Sequence, residues 1–470
     1  MQDAHTPTND VQAPSPVQGF LQQFWQALGG DPALLECVAV TGEGSLPSAF
    51  CVTDIAAASV GVAGLAIAET LAGLSGKVPA VLVDRRLASF WFASSIRPIG
   101  WPPQPKWDAI AGDYPTSDGW IRLHTNAPHH RDAALAVLEV TADRALVAAA
   151  VKRWRAVDLE TAIVARGGVA AEMRSLAAWQ SHPQGQAVMQ EPLLAQTTTD
   201  VGPSDWLGGA TLDRPLRNVR VLDLTRVLAG PIATRFLAGY GAEVLRIDSP
   251  WWNEPALEAE VTPGKRCARL DLSAAQDRER FEHLLSEADV LVHGYRSDAL
   301  AGLGLDAARR RRLRPGLVDI SLDAYGWTGP WHDRRGFDSL VQMSSGIADE
   351  GMKHFGNETP TPLPVQALDH ATGYLMAAAA IRGLTQLALT GRGCQVRTSL
   401  AAMAAVLSTG PRQQAVKDLA AETPEDEAPH IEQTVWGQAR RLRAPVTVDG
   451  APMSWDSPAK PLGSADAAWS

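Results

Sequence analysis

Val219-Arg220-Val221-Leu222-Asp223-Leu224, followed by the turn Ala229-Gly230-Pro231, a helical stretch from Ile232 to Tyr240 and a second strand from Glu243 to Asp248, decides the fold class. The first run is nearly continuous in apolar residues, as a strand covered on both faces must be. A tight turn and a helix before the next strand make a strand–helix–strand unit. Working outward, strands are expected at Asp289 to His293 and Leu317 to Ser321, with helices over 274–288 and 307–313 between them. Repeated alternation of this kind predicts an α/β protein with a Rossmann-like, doubly wound parallel sheet, whose ligands settle at the carboxyl ends of the strands.

Upstream, residues 19–108 carry an Ala/Gly-rich helical stretch from Asp54 to Leu74 and a short strand at Val81-Leu82-Val83. Residues 109–200 read as a smaller α+β unit, with a turn at Asp118-Gly119, a strand from Trp120 to His124 and helical patterns from Arg131 to Arg166. Residues 1–18 read as a disordered leader, 201–217 as a linker, 218–410 as the sheet domain and 411–470 as a C-terminal linker and tail. Asp54, Thr70, Leu74, Gly76 and Val81 recur 315 positions later as Asp369, Thr385, Leu389, Gly391 and Val396. That spacing suggests a duplicated half-domain.

Composition narrows the function classes. The 470 residues carry 42 basic and 52 acidic side chains, a formal charge of −10, which argues against a general nucleic-acid or anionic-membrane binder. Four cysteines, never as CxxC, fit neither a disulfide framework nor a zinc site and favour a reducing compartment. The apolar runs Val60 to Ala68 and Leu375 to Ile381 stop at charged residues, short of a membrane span. These features predict a soluble, cytoplasmic protein. The Gly230-Pro231 turn is neither GxGxxG nor a P-loop. Arg309 to Arg312 read as a solvated helix face, and His129-His130 as surface residues. Asp369 heads an Ala-rich helix, where a capping role competes with a catalytic one.

As an ordered set, VRVLDLTRVLAGPIATRFLAGYGAEVLRID, PGKRCARLDLS, ADVLVHGYR, LAGLGLD, AYGWTGPW, GFDSLVQMSSG and LDHATG resemble the family III CoA-transferases of CaiB/BaiF type, from about residue 216 to 408. Tyr114 to Ile121 and Gly167 to Gln184 are similar to that family's small domain, but here they precede the sheet instead of following it. The resemblance therefore implies the family fold in rearranged order, as a fused and partly degenerate double copy. It implies transfer of CoA from an acyl-CoA to a carboxylic acid, with Asp369 as nucleophile through a mixed anhydride and an aspartyl-CoA thioester. Placement at a helix N-terminus is expected to keep Asp369 ionised.

The same resemblance places CoA against Val227, Ala229, Gly230, Arg235, Arg246, Lys265, Arg266 and Arg296. No prosthetic group or metal is implied; the partners are an acyl-CoA and an acid acceptor. The assembly is expected to be a homodimer or a self-contained fused pair. Three features depart from the family pattern: Tyr295-Arg296-Ser297-Asp298 stands where Phe-Arg-Pro-Gly is usual, Asp248 is followed by Ser249-Pro250, and the Gly-rich loop of formyl-CoA transferases has no counterpart near Ile110–Asp113. An α-methylacyl-CoA racemase is the rival within the family, but racemases place a histidine before the aspartate of Gly-x-Asp, where this chain has Phe337. A non-catalytic CoA-binding partner subunit is the rival from another class. Asp54, in the incomplete first copy, is expected to be a structural helix cap.

Overall fold

The computed structural model describes residues 15–295, 299–414 and 417–470. Its main sheet has seven strands: β1 (Ala195–Val201), β2 (Arg220–Leu224), β3 (Glu243–Asp248), β4 (Lys265–Arg269), β5 (Val290–His293), β6 (Val318–Asp323) and β7 (Arg392–Ser399). Their spatial order is β4-β3-β2-β5-β6-β7-β1. All neighbours are parallel except β1, which pairs antiparallel with β7. Without β1 the order is three-two-one-four-five-six, that of dinucleotide-binding sheets, and its topological switch point lies between β2 and β5.

The expected helix after β2 runs from Ala229 to Gly239, and those expected over 274–288 and 307–313 run Ala275–Ser286 and Ala307–Leu313. Asp223 is fully buried at the end of β2. Its carboxylate accepts from the Thr225 N–H at 2.9 Å and the Thr234 hydroxyl at 2.5 Å, and pairs with the Lys265 ammonium at 3.0 Å. Lys265 also donates to the Pro231 carbonyl at 2.9 Å. One buried ion pair thus ties strand end, turn and helix together. Burial would raise Asp223, but Lys265 and then Arg246 outweigh it and hold the carboxyl below its usual range.

Two helices of 24 residues each, Val52–Ser75 and Ala367–Thr390, pack against one another in the core. Both end on a left-handed glycine, Gly76 at φ 75° and Gly391 at φ 69°. Each is followed by a strand and a short helix: Val81–Asp84 then Arg85–Trp91, and β7 then Leu400–Thr409. Thr70 and Thr385, 315 residues apart, hydrogen-bond to each other at 3.0 Å. The repeat seen in the sequence is therefore a repeat of elements and of their ends. The Val52–Ser75 helix is long and apolar enough to cross a membrane, which the interruption at Glu69 concealed. It is a core helix, with 89% of its most apolar window buried.

Several boundaries differ from those expected. Strand β1 belongs to the main sheet, although its sequence falls at the end of the stretch read as the smaller unit. That unit is a three-stranded antiparallel sheet, Gly112–Pro115, Trp120–Leu123 and Ala170–Glu172, with helices Pro128–Leu138, Arg144–Val151 and Ala156–Ala165. The stretch expected as a tail supplies strands: Gly437–Leu442 pairs with Ile96–Ile99, and Val446–Val448 with Val81–Asp84. A helix begins at Pro16, inside the expected leader. Arg310 is no solvated residue either, since it is 4% exposed and donates to Asp319 at 2.7 Å.

The Lys265 pair sets a stability test. Lys265→Met leaves Asp223 buried without its counter-charge, and removal of one partner of a buried pair costs about 3–5 kcal/mol. Denaturant unfolding should show a loss of that size, and a loss under about 1 kcal/mol would remove the pair from its bracing role.

Candidate functional site

A cavity of about 300 Å³ opens at the switch point. Leu224, Thr225 and Arg226 after β2, Gly294 and Tyr295 after β5, and Leu322 to Ala324 at the end of β6 form one side. Asp369, Phe337 with Arg334 and Arg335, and His129 with His130 from the smaller unit complete it. A volume near 300 Å³ lies at the lower end of small-molecule sites.

The turn beneath the cavity is tightly constrained. A Cβ on Gly230 would stand 2.2 Å from the Thr225 side chain, so only glycine fits there. Val227 adopts φ 66°, a left-handed conformation that costs a β-branched residue energy. Its N–H donates to Glu254 Oε2 at 2.9 Å, and Glu254 is held by Arg246 at 2.5 Å and by the Trp252 indole at 3.0 Å.

Asp369 is the third residue of its helix, not the cap, which is Gln366. A Cβ on Gly373, one turn on, would come within 2.4 Å of the Ala229 carbonyl, so glycine lets this helix touch the Gly230-Pro231 turn. The Asp369 N–H donates to Asp338 Oδ2 at 2.9 Å, and Gln342 donates to the other Asp338 oxygen. Burial pushes Asp338 up to about 6, despite the donors that favour its ionised form. Burial first, and the neighbouring Asp338 charge second, push Asp369 well above the carboxylate range, while the Ala229 N–H works against the shift. Asp338 has the donors, so it carries the charge and Asp369 the proton. The expectation that a helix N-terminus keeps Asp369 ionised is therefore corrected: burial and a second carboxylate outweigh the dipole.

Of the residues expected to line a CoA site, Val227, Ala229 and Gly230 meet at this cavity, together with Asp369, the expected nucleophile. Arg235, Arg246 and Lys265 do not; they are buried in internal ion pairs. Arg235 pairs with Glu260 and lies over the Trp91 ring at 4.7 Å. Arg246 pairs with Asp248 at 2.8 Å as well as with Glu254, and Lys265 with Asp223. Arg266 donates to the Ser470 hydroxyl at 3.0 Å, away from the cavity. Arg296 lies outside the described residues.

Asp54 is the third residue of its helix too, and not a cap: its carboxylate meets Arg85 at 3.2 Å. Arg85 stands at the position equivalent to Leu400, which lines the Asp369 cavity. Burial raises the Asp54 carboxyl and Arg85 partly offsets the rise.

Sequence reasoning passed over Arg226, which lies over the Trp252 ring at 4.4 Å and the Tyr295 ring at 5.3 Å. Its position two residues past β2 was the available signal. The reading of His129 and His130 as surface residues holds only for His129; His130 is 3% exposed and faces the cavity. Among the described residues no group of three or more His, Cys, Asp or Glu side chains is placed to hold a metal ion.

The dyad gives a pH test with a defined sign. Carbodiimides couple to protonated carboxyls, so Asp369 should label at pH values where ordinary aspartates have stopped. Asp338→Asn removes the neighbouring charge, and the labelling limit should move to lower pH, with burial leaving it above that of an exposed aspartate. Peptide mapping across a pH series reads this directly. A limit that stays in place in the variant would show that the Asp338 charge does not act on the Asp369 carboxyl.

Residues 216–434 match the family model for CoA-transferase family III. The acetyl-coenzyme A transferase nodX of Hypoxylon pulicicidum is 34% identical over 193 residues, 40% of this chain and 32% of its own. An acyl-CoA transferase of Gibberella moniliformis is 28% identical over 340 residues, 64% of this chain and 59% of its own. The succinyl-CoA:glutarate CoA-transferase of Mus musculus is 31% identical over 214 residues, 42% of this chain and 48% of its own. The chain thus spans from 32% to 59% of the length of these curated relatives. The matched residues 216–434 supply β2 to β7 and the helix that carries Asp369, so this part of the chain is similar to CoA-transferase family III.

Proposed function

We propose that the protein moves CoA from an acyl-CoA to a carboxylic acid, with Asp369 as the covalent nucleophile. The observation that carries this reading is the placement of a buried carboxylate in a cavity at the switch point of the sheet, within the part of the chain that matches the family. The ionised Asp369 oxygen attacks the thioester carbonyl, and CoA leaves as thiolate, giving a mixed anhydride. The thiolate then attacks the aspartyl carbonyl, releasing the donor acid and leaving an aspartyl-CoA thioester. The acceptor carboxylate attacks that thioester, forms a new anhydride and frees the thiolate. Attack of the thiolate on the acceptor's acyl carbon gives the new acyl-CoA and restores Asp369. Each bond broken is matched by one formed, and no oxidant or reductant is consumed.

The Ala229 N–H is aimed at the Asp369 carboxyl and is suited to stabilise charge there. In this reading Arg226, Trp252 and Tyr295 hold CoA, whereas Arg246 acts through Glu254 on the Val227 turn and is a positioning residue. Lys265 and Arg235 brace the fold. Racemisation is disfavoured because Phe337 stands where a proton-transferring histidine is needed. The repeated helix, strand and short helix support a fused pair in which Arg85 has filled the first copy's site, leaving Asp54 in a structural role.

Asp369→Ala should lose at least about 10³-fold in turnover, as removal of a covalent nucleophile does. Asp54→Ala should leave turnover within a few-fold. Quenching a reaction with hydroxylamine and mapping the modified peptide should place the label on Asp369. Label on the Asp54 peptide alone would overturn the assignment, and full activity in Asp369→Ala would overturn the mechanism.

A further inference from the structure

Asp323 is a buried carboxyl to which the transfer chemistry assigns no step. It ends β6, lines the same cavity as Asp369 and is 5% exposed. Its Oδ1 accepts the Tyr325 N–H at 2.9 Å. Among the described residues Oδ2 accepts no full hydrogen bond, and it is not one of the buried atoms sealed off without a partner, so it opens into the cavity. No described cation pairs with it, and Arg334 on the same cavity is paired with Glu160 at 3.0 Å. Its flanks are apolar: Leu322, Ala324 and Leu400, which follows its β7 partner Ser399.

Burial is the largest influence on Asp323. The Tyr325 and Gly326 N–H groups oppose it and the Glu191 charge assists it, and the carboxyl rises to about 8. Glu191 faces it from the far side of the Trp327-Thr328 turn, whose N–H groups hold that carboxylate. From β7 the residue opposite is Ser399, which is uncharged. Across the cavity, His129 and His130 are held down by burial and Tyr295 is held up by it, so these three stay neutral near pH 8, while Arg226, Arg334 and Arg335 stay charged. Asp369, itself raised, is the other carboxyl there. A carboxylic acid kept neutral by an apolar site is a hydrogen-bond donor.

We propose that Asp323 donates its carboxyl O–H to one oxygen of the bound acid's carboxylate and leaves the other oxygen free to react at the Asp369 position. This rests on the transferase reading and adds to it the residue that holds the acid. The proton stays on Asp323 throughout, so the transfer steps keep their balance. An ionised oxygen is the acceptor that such a donor binds most strongly, ahead of a hydroxyl or a thioester carbonyl. An ionised Asp323 would repel the same group, so the neutral form is the one the acid requires.

The test is a ligand-observed NMR titration of the full chain carrying Asp369→Asn, which removes the proposed nucleophile and with it the second raised carboxyl. Butyrate is the probe and butyramide its uncharged counterpart. Butyrate affinity should fall about tenfold or more as the pH rises through about 8, because Asp323 then loses the proton it donates and gains a repelling charge. Butyramide, which is able to donate to an ionised carboxyl, should not follow that fall. Adding Asp323→Asn keeps a donor that does not titrate, so butyrate affinity should stay within a few-fold over the same range. Adding Asp323→Val removes the donor and should cost about tenfold at neutral pH. Where that variant fails to fold, the Asn variant still reports. A butyrate fall that survives Asp323→Asn, no fall while Asp323 is present, or an equal fall for butyramide overturns the proposal. Transfer by the wild type without this pattern leaves the transferase reading standing alone. The pattern without any CoA transfer would sink that reading and keep the role of Asp323.

Discussion

The buried pair between Asp223 and Lys265 is the constraint on which the site depends. Three adjacent strands each contribute one charge to it: Asp223 on β2, Arg246 directly opposite on β3, and Lys265 on β4. A carboxylate at zero exposure persists as an ion only if cations and hydroxyl donors replace the water it has lost. Satisfying Asp223 fixes Thr225 and Thr234, and through Lys265 the Pro231 carbonyl, before any ligand arrives. The turn between them then has little freedom, and Arg246 adds Glu254 to hold Val227 in its strained conformation. The preorganised wall of the cavity is thus an outcome of neutralising charge inside the sheet.

The second constraint is the packing of two equivalent helices. Thr70 and Thr385 meet across the pair at positions 315 residues apart. Equivalent backbones then host unequal chemistry. On one side Leu400 leaves the space before Asp369 open; on the other Arg85 occupies it and ties up Asp54. A single side chain at the start of the following helix separates an accessible carboxylate from a structural ion pair.

Much of this was legible in the residues. The strand–turn–helix at 219–240, the parallel sheet and the placement of Asp369 follow from apolar periodicity, turn chemistry and an ordered set of motifs. The roles of the cations did not. Lys265, Arg246 and Arg235 lie near strand and helix ends where a phosphate would sit, and a sequence shows a charge without showing its partner. Asp223 is 42 residues from Lys265, and Glu260 is 25 from Arg235. The reverse error occurred at His130, which stands in a polar segment but is turned inward by its helix. The C-terminal strands were missed for a related reason: their partners, at 81–84 and 96–99, lie more than three hundred residues upstream.

For the proposed nucleophile, Asp369, burial beside a second carboxylate carries a compensation. Raising the Asp369 pKa makes its carboxylate more basic, hence more reactive toward a thioester, but reduces the fraction ionised near neutrality. Burial supplies most of that increase and the Asp338 charge adds to it, with Asp338 held in place by its own donors from Gln342 and the Asp369 backbone. The Ala229 N–H works in the opposite sense, since a donor aimed at the Asp369 carboxyl favours its ionised form, the form that attacks in the proposed reaction.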